Sequence, residues 1–591
     1  MTIIVLYSTI PYRAEGMQNS NMKSNIIIAD KTRNLRTRRR IEFILLILLF
    51  LSLSVFHIVR QIENKYLQIR NNNIGLFEDF DISDTDNNAQ EYTYIPVSID
   101  AFTLWADTAQ DLSCYPKGLD LISLNQDGSC HYVSNVLGYS IDYPSYWNAD
   151  NHAAPYYTRF FDSSFRLDIT VQDVNDAWTD VDNYLKTTID PIKDLITLDK
   201  NETRNSLMIR IIDYTRPLVT GIENDMNYYR YYFIIHEDYV YTMQLKTNEE
   251  NFESKKSEIN SIVNSFRVEK VQRFNLNQII QSEDLSHDLI IKHDYKTLSI
   301  PRNTFMMGVF TPNSRDINKL EDSIGQPIGL QMLYKGVDSD YDAYTEELAF
   351  NNKLPVITFL FEEVGKKDNT KVMRNMINGK YDATLANWGK NIAGLKTPVL
   401  LRPGNEMNGN WTDWSAGYNY NDPDLYKLAF IHFVNVIKSA GADNAYFVWN
   451  PNHGSKPNYA WNNAAMFYPG DHIVDFVGLT YYNYGGGNYA SFDELYRDYY
   501  WESCRAYYKK PLMIGEFGSV EKGGDKAEWI RRMFEVIPER YHNIKIAVWF
   551  DSKHSPRSSI DLRINTSKSS MKAFAEGMKK PKVIKRLINT Q

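Results

Sequence analysis

Glu406 and Glu516 each stand just past a run of apolar residues that reads as a buried strand. The first lies in V-L-L-R-P-G-N-E-M-N-G-N-W (399–411) and the second in P-L-M-I-G-E-F-G (511–518). Two carboxyl groups on either side of one bond can divide acid/base and nucleophilic work, the division that glycoside cleavage needs. A parallel barrel presents such a pair at the C-terminal ends of different strands. The neighbours are suggestive too: Arg402 and Asn405 precede Glu406, and Trp411 follows it.

The elements that would hold this pair can be read from residue 300 onward. Short apolar runs recur at 305–310, 327–334, 355–361, 398–403, 445–450, 474–480, 511–517 and 544–550, with helical intervals between them. They are continuous rather than alternating, as expected for strands buried on both faces. Eight such units in about 250 residues predict a (β/α)8 barrel over 300–580, within an α/β fold class. Glu406 then follows the fourth strand and Glu516 ends the seventh, so both sit at the catalytic mouth.

At this point the motifs resemble glycoside hydrolase family 26, in the clan A group of retaining barrels. The pieces are R-P-G-N-E-M-N-G-N-W-T-D-W (402–414), V-W-N-P-N (448–452), Y-P-G-D-H-I-V-D-F-V-G-L-T-Y-Y-N (468–483), M-I-G-E-F-G (513–518) and V-W-F (548–550), with G-K-Y-D-A-T-L-A-N-W (379–388) also fitting. The resemblance implies a β-mannanase-like hydrolase in which Glu406 is the acid/base and Glu516 the nucleophile. It implies that Arg402 supports the site, that Trp411 borders the sugar undergoing cleavage, and that Tyr482 lies beside the nucleophile, with Tyr481 as the alternative register. Trp549 would supply an aromatic floor from the eighth strand. Members of that family usually carry His immediately before the acid/base; here it is Asn405, the pairing of other clan A families, where Asn contacts the sugar 2-hydroxyl. Mannose and glucose differ at that carbon, so a β-1,4-mannan and a β-glucan both stay open. A retaining pair would stand ~5–5.5 Å apart. Arg402 and Tyr482 would keep Glu516 ionised while Trp411 favours a protonated Glu406. His453, Asp413, Trp414 and a loop at Tyr484 and 485–487 are further candidates for the cleft.

Other parts of the chain bound its setting. Its 591 residues predict at least two domains, and a net charge of −8 argues against nucleic-acid binding. Aromatic residues reach 14%, which suits a carbohydrate surface. Residues 41–60 are an apolar stretch long enough to span a bilayer, preceded by a basic tail (1–40) ending in K-T-R-N-L-R-T-R-R-R. Those charges predict a single-pass anchor in the cell membrane with the C-terminal bulk outside. An uncleaved anchor is expected over a cleaved signal peptide, because the leader is long and no A-x-A-like site follows. Residues 61–95 read as a polar stalk.

Residues 96–270 predict an α+β accessory domain. Strands are expected at 137–147, 204–214, 227–236 and 238–246, with a hairpin turn at Glu237-Asp238 and helices near 176–197 and 250–266. Y-S-I-D-Y-P-S-Y-W and I-V-N-S-F-R resemble PsbP/Mog1-like domains. Spacer, partner-binding and glycan-binding roles remain open for it, as does a Cys114–Cys130 bridge. No metal-ligand spacing or phosphate loop is present, so no metal or cofactor is expected. The expectation is a membrane-anchored, extracytoplasmic retaining endo-β-glycosidase acting on a β-linked polysaccharide, of β-1,4-mannan type first, with a β-glucanase or an exopolysaccharide-trimming glycosidase as the alternative; an inactive glycan-binding or sensor protein is the alternative of a different class.

Overall fold

The computed structural model describes residues 101–107 and 119–590, apart from 152, 154, 273–286, 508–509 and 554–559. The predicted tail, membrane anchor and stalk lie outside the described residues, as does Cys114. Among the described residues no helix is long and apolar enough to cross a membrane.

The strands of the N-terminal part are β1 (Asp120–Leu124), β2 (Cys130–Ser134), β3 (Tyr139–Tyr143), β4 (Asn148–Asp150), β5 (Tyr157–Phe161), β6 (Arg166–Asp173), β7 (Ile196–Arg204), β8 (Leu207–Thr215), β9 (Tyr228–His236), β10 (Tyr239–Thr247) and β11 (Arg267–Val268). They make an antiparallel sheet in the order β4-β5-β6-β10-β9-β8-β7 and a smaller one, β1-β2-β3-β11. The β9–β10 hairpin closes at Glu237, whose φ of 53° gives the left-handed turn that pairs His236 with Tyr239. The tyrosine-rich strand β9 is packing on both sides. Tyr229, Tyr231 and Phe233 join the core shared with the barrel. Tyr228, Tyr232 and Ile234 join a second core under the helix Glu249–Ser265. That helix is capped by Asn248 and turns Phe252, Ile259, Ile262 and Val263 inward.

The barrel strands are β14 (Phe305–Phe310), β15 (Leu330–Gly336), β16 (Leu354–Leu360), β17 (Val399–Pro403), β18 (Ala445–Trp449), β19 (Phe476–Asn483), β20 (Leu512–Ser519) and β21 (Ile544–Phe550), following the short β12 (Leu289–Lys292) and β13 (Lys296–Ile300). All eight are parallel, and β14 pairs with both β15 and β21, which closes the ring. The expected eight-stranded parallel barrel is therefore present, with strand limits moved by a few residues at β15 and β19. Its interior is filled by Met306, Met332, Val356, Leu400, Val448, Met513 and Ile546. Leu298 and Ile300 of β13 join the same cluster, so this small sheet packs on the barrel's inner core. Side chains of the other parity pack outward on the helices.

The accessory sheet docks on the helix Pro423–Ser439 through buried charge. Asp422 caps this helix, Pro423 opens it, and Asp424 lies in its first turn. Instead of meeting water, both carboxylates meet cations of the accessory sheet. Arg216 Nε donates to Asp422 at 3.0 Å, and Lys246 Nζ reaches Asp422 at 3.1 Å and Asp424 at 2.7 Å. Arg166 pairs with Asp424 as well, and Lys427 approaches it at 2.9 Å. Burial alone would raise Asp424, but Arg166, Lys246 and Lys427 hold it well below the usual carboxylate range.

Removing one member of such a cluster leaves the others buried and uncompensated. Asp424→Ala is expected to destabilise the chain by about 3–5 kcal/mol, read as a lower urea midpoint, and an unchanged midpoint would mean that the cluster adds nothing to docking.

Candidate active site

The site starts from a buried cation. Arg402, on β17, is fully buried inside the barrel. Its Nη1 donates to Glu516 Oε1 at 2.8 Å, its Nε to Asn450 Oδ1 at 2.9 Å and its Nη1 also to Thr358 Oγ1 at 3.2 Å. Asn450 Nδ2 in turn donates to Thr480 Oγ1 at 2.9 Å. The two glycines at 478 and 515 follow from this packing. A Cβ on Gly478 would stand 2.3 Å from Asn450 Oδ1, and one on Gly515 only 2.0 Å from it.

Glu516, on β20, accepts from three donors: Arg402, Tyr334 Oη at 2.5 Å, and the Tyr482 hydroxyl. This is the pattern of an ionised carboxylate positioned to present its oxygens.

Glu406 has different surroundings. The chain turns sharply after β17, with Gly404 at φ 55° and Glu406 itself at φ 57°. A Cβ at 404 would also lie 2.7 Å from the Phe361 ring, so this position needs glycine twice over. A non-glycine residue in the left-handed region costs roughly 1–3 kcal/mol and is held there by its surroundings. Here Glu406 N donates to Asn450 O at 2.7 Å. The carboxyl accepts from Asn452 Nδ2 at 3.0 Å and Trp411 Nε1 at 2.9 Å. Burial, and then the charge of Glu516, push Glu406 up to about 7, against the pull of Asn452, Arg402 and Trp411.

The structure thus brings Arg402, Tyr482 and Glu516 together, and sets Trp411 on Glu406. Tyr482, not Tyr481, holds Glu516. Tyr481 stacks on His453 at 3.5 Å between ring centroids. Burial and nearby Lys456 push His453 down to about 4, so it is neutral at pH 7. Asn405 is buried, its carbonyl accepts from Trp414 Nε1 at 2.8 Å, and among the described residues its Oδ1 has no hydrogen-bond partner.

Two expectations are corrected. Trp549 does not floor the cleft. It is fully buried among Phe517, Trp529 and Phe574 in the helical layer and donates to Leu562 O at 2.8 Å. Side chains alternate along β21, so Val548 and Phe550 face inward and Trp549 faces out. Phe550 is the ring that reaches the site, stacked on Phe310 at 4.6 Å and edge-on to Tyr482 at 5.8 Å. Trp414 is likewise buried packing against Phe361, not an outer surface. Asp413 is tied to the backbone of Asn369 at 2.8 Å.

Sequence reasoning missed Tyr334, Phe310, Phe550, Asn450 and Asn452. With Tyr482 and the half-exposed Tyr484, the first three form an aromatic arc on one side of Glu516. Asn450 and Asn452 lay within a quoted motif, but only their contacts distinguish them from ordinary loop asparagines.

A closed parallel barrel with one ion-paired and one proton-holding carboxyl at its C-terminal mouth has the architecture of barrel glycoside hydrolases. Residues 346–501 match the family model described as Glycosyl hydrolase family 26, and the barrel is a domain of that family. Endoglucanase H of Acetivibrio thermocellus is 34% identical over 280 residues, covering 45% of this chain and 29% of its own length. A mannan endo-1,4-beta-mannosidase of Bacillus subtilis is 29% identical over 170 residues, covering 27% of this chain and 41% of its own length. A solved mannanase from the same organism is 18% identical and covers 46% of this chain and 85% of that one, with a TM-score of 0.33. The chain spans less than half the length of these curated relatives.

Because the charge of Glu516 helps hold the proton on Glu406, Glu516→Gln is expected to move the Glu406 titration down from about 7. Carboxyl titration by difference infrared spectroscopy checks this; a midpoint that does not move would mean the two carboxyls do not interact.

Proposed function

We propose that the barrel hydrolyses internal β-glycosidic bonds of a polysaccharide with retention of configuration. The observation that carries this reading is the contrast between the carboxyls: Glu516 gripped by Arg402, Tyr334 and Tyr482, Glu406 pushed up to about 7. Glu516 attacks the anomeric carbon while the Glu406 proton passes to the leaving oxygen, and a glycosyl ester forms. Esterification removes the Glu516 charge, so Glu406 loses one of the causes that raise it and becomes the base for water. Water then attacks the same carbon, its proton goes to Glu406, and Glu516 is released. The aromatic arc and Trp411 supply ring faces for sugar C–H surfaces.

A β-1,4-mannan is the first substrate reading, supported by the Bacillus subtilis relative. A β-glucan is the second. The likeness to Endoglucanase H supports it. The apolar run at 41–60 and the basic residues before it support an anchored enzyme working outside the cell, on polymer at the cell surface.

The full chain, beside Glu406→Ala and Glu516→Ala, is incubated with mannan, glucomannan, mixed-linkage glucan and cellulose, following reducing ends and, by NMR, the first anomer released. The parent is expected to cut one polymer with β-product first, and Glu406→Ala to lose about 10²–10⁴-fold. Activity of the parent should fall as pH rises through about 7, where Glu406 gives up its proton. Tight binding of a polymer without cleavage would replace this reading with the glycan-binding one.

A further inference from the structure

Glu406 is held by two loops, and both end on the accessory sheet. The first runs from Gly404 to Asp422 and carries Glu406 and Trp411. At its far end Tyr214 Oη donates to Tyr420 O at 2.9 Å, and Asn421 Nδ2 donates to Thr188 O at 2.7 Å. Asp422 then enters the buried charge cluster. The second loop follows β18 and carries Asn452. Ala460 N donates to Gln172 Oε1 at 2.8 Å and Trp461 Nε1 to Thr188 Oγ1 at 2.9 Å.

From that contact a line of hydrogen bonds leads back to the carboxyl. Asn462 follows Trp461 and donates from Nδ2 to Asn408 O at 2.9 Å, and its own carbonyl accepts from Ser455 Oγ at 2.7 Å. Asn408 grips Asn452 twice, accepting from its backbone N–H at 2.8 Å and donating to its carbonyl at 3.0 Å. Asn452 Nδ2 reaches Glu406 Oε1. Asn408 and Asn462 are buried, and Asn408 sits two residues past Glu406 in the turn itself. Asn408 and Asn452 each donate and accept through their side-chain amides, and Asn462 donates to the backbone of Asn408, so displacing one shifts the next.

We propose that the accessory domain is a positioning element of the catalytic site: Gln172 and Thr188 fix Trp461 and its loop, and through Asn462, Asn408 and Asn452 they fix the orientation of the Glu406 carboxyl. This rests on Glu406 acting as the acid/base. It assigns the accessory sheet a role beyond spacing the barrel from whatever precedes it. The geometry suits the role, because a residue with a left-handed backbone keeps its direction only as long as its neighbours hold it, and a misplacement of about 1 Å at a reacting group can cost about 100-fold.

The test uses the full chain and two substitutions made singly and together: Trp461→Phe, which removes the bond to Thr188, and Gln172→Leu, which removes the bond to Ala460 along with one to the Asp173 carbonyl. Unfolding midpoints are recorded alongside. Activity is compared on 2,4-dinitrophenyl and phenyl β-mannobiosides, and on the matching β-cellobiosides. The first leaving group departs without a proton and the second needs one from the acid. Misplacing Glu406 is expected to lower kcat/KM on the phenyl glycoside about 10-fold while the dinitrophenyl glycoside changes by less than about 2-fold. Equal losses on both, or none on either, overturn the proposal. Glu406→Ala serves as the reference. If it shows no such split, the acid/base reading of Glu406 falls and this inference with it; if it does and the interface variants do not, only the inference falls.

Discussion

The ion pair between Arg402 and Glu516 sets the terms for everything around it. A guanidinium buried inside a barrel costs several kcal/mol unless its charge and its donors are answered. Glu516 answers the charge, and Asn450, Thr358 and Thr480 answer three of the other N–H groups. The pair therefore fixes Glu516 as a carboxylate by the demands of the core as much as by those of chemistry. It also fixes the field that Glu406 feels, since a negative charge across the cleft opposes a second one. The bland view of Arg402 as a core ion pair and the functional view of it as a support for the nucleophile describe the same contact.

The cleft is asymmetric as a result. On the side of β14, β15, β19 and β21 the phenols and rings of Tyr334, Phe310, Phe550 and Tyr482 crowd around Glu516. On the side of β17 and β18 the lining is amide and indole: Asn452 and Trp411 on Glu406. Donors gather where a carboxylate must stay charged. Fewer donors and no hydrogen-bonded cation prevail where one must keep its proton.

The accessory sheet belongs to this arrangement through its charges. Asp422 and Asp424 are placed by ordinary helix-start chemistry, and the accessory cations Arg216, Lys246 and Arg166 neutralise them in a dry interface. The loops carrying Glu406 and Asn452 thereby run between barrel strands at one end and the accessory sheet and its helix at the other. Tyr229 and Tyr231 of β9 pack into the same buried interface.

What the sequence determined by itself was local. Eight apolar runs of strand length, separated by helical intervals, specify a parallel barrel because each run must be buried on both faces. The glutamates at the ends of two of them follow at once. The hairpin turn at Glu237-Asp238 is local in the same sense. Only the tertiary structure decided the rest. A strand buried on both faces shows no alternation, so the sequence of β21 does not say whether Trp549 or Phe550 faces the cleft, and packing chose Phe550. Strand phase likewise decided between Tyr481 and Tyr482. Tyr334, which reaches Glu516 from β15, and Gln172 and Thr188, which meet the Asn452 loop from the N-terminal part, stand far from these partners in the chain. Their roles arise only when ring closure and domain docking bring them there, and no local pattern of residues encodes those distances.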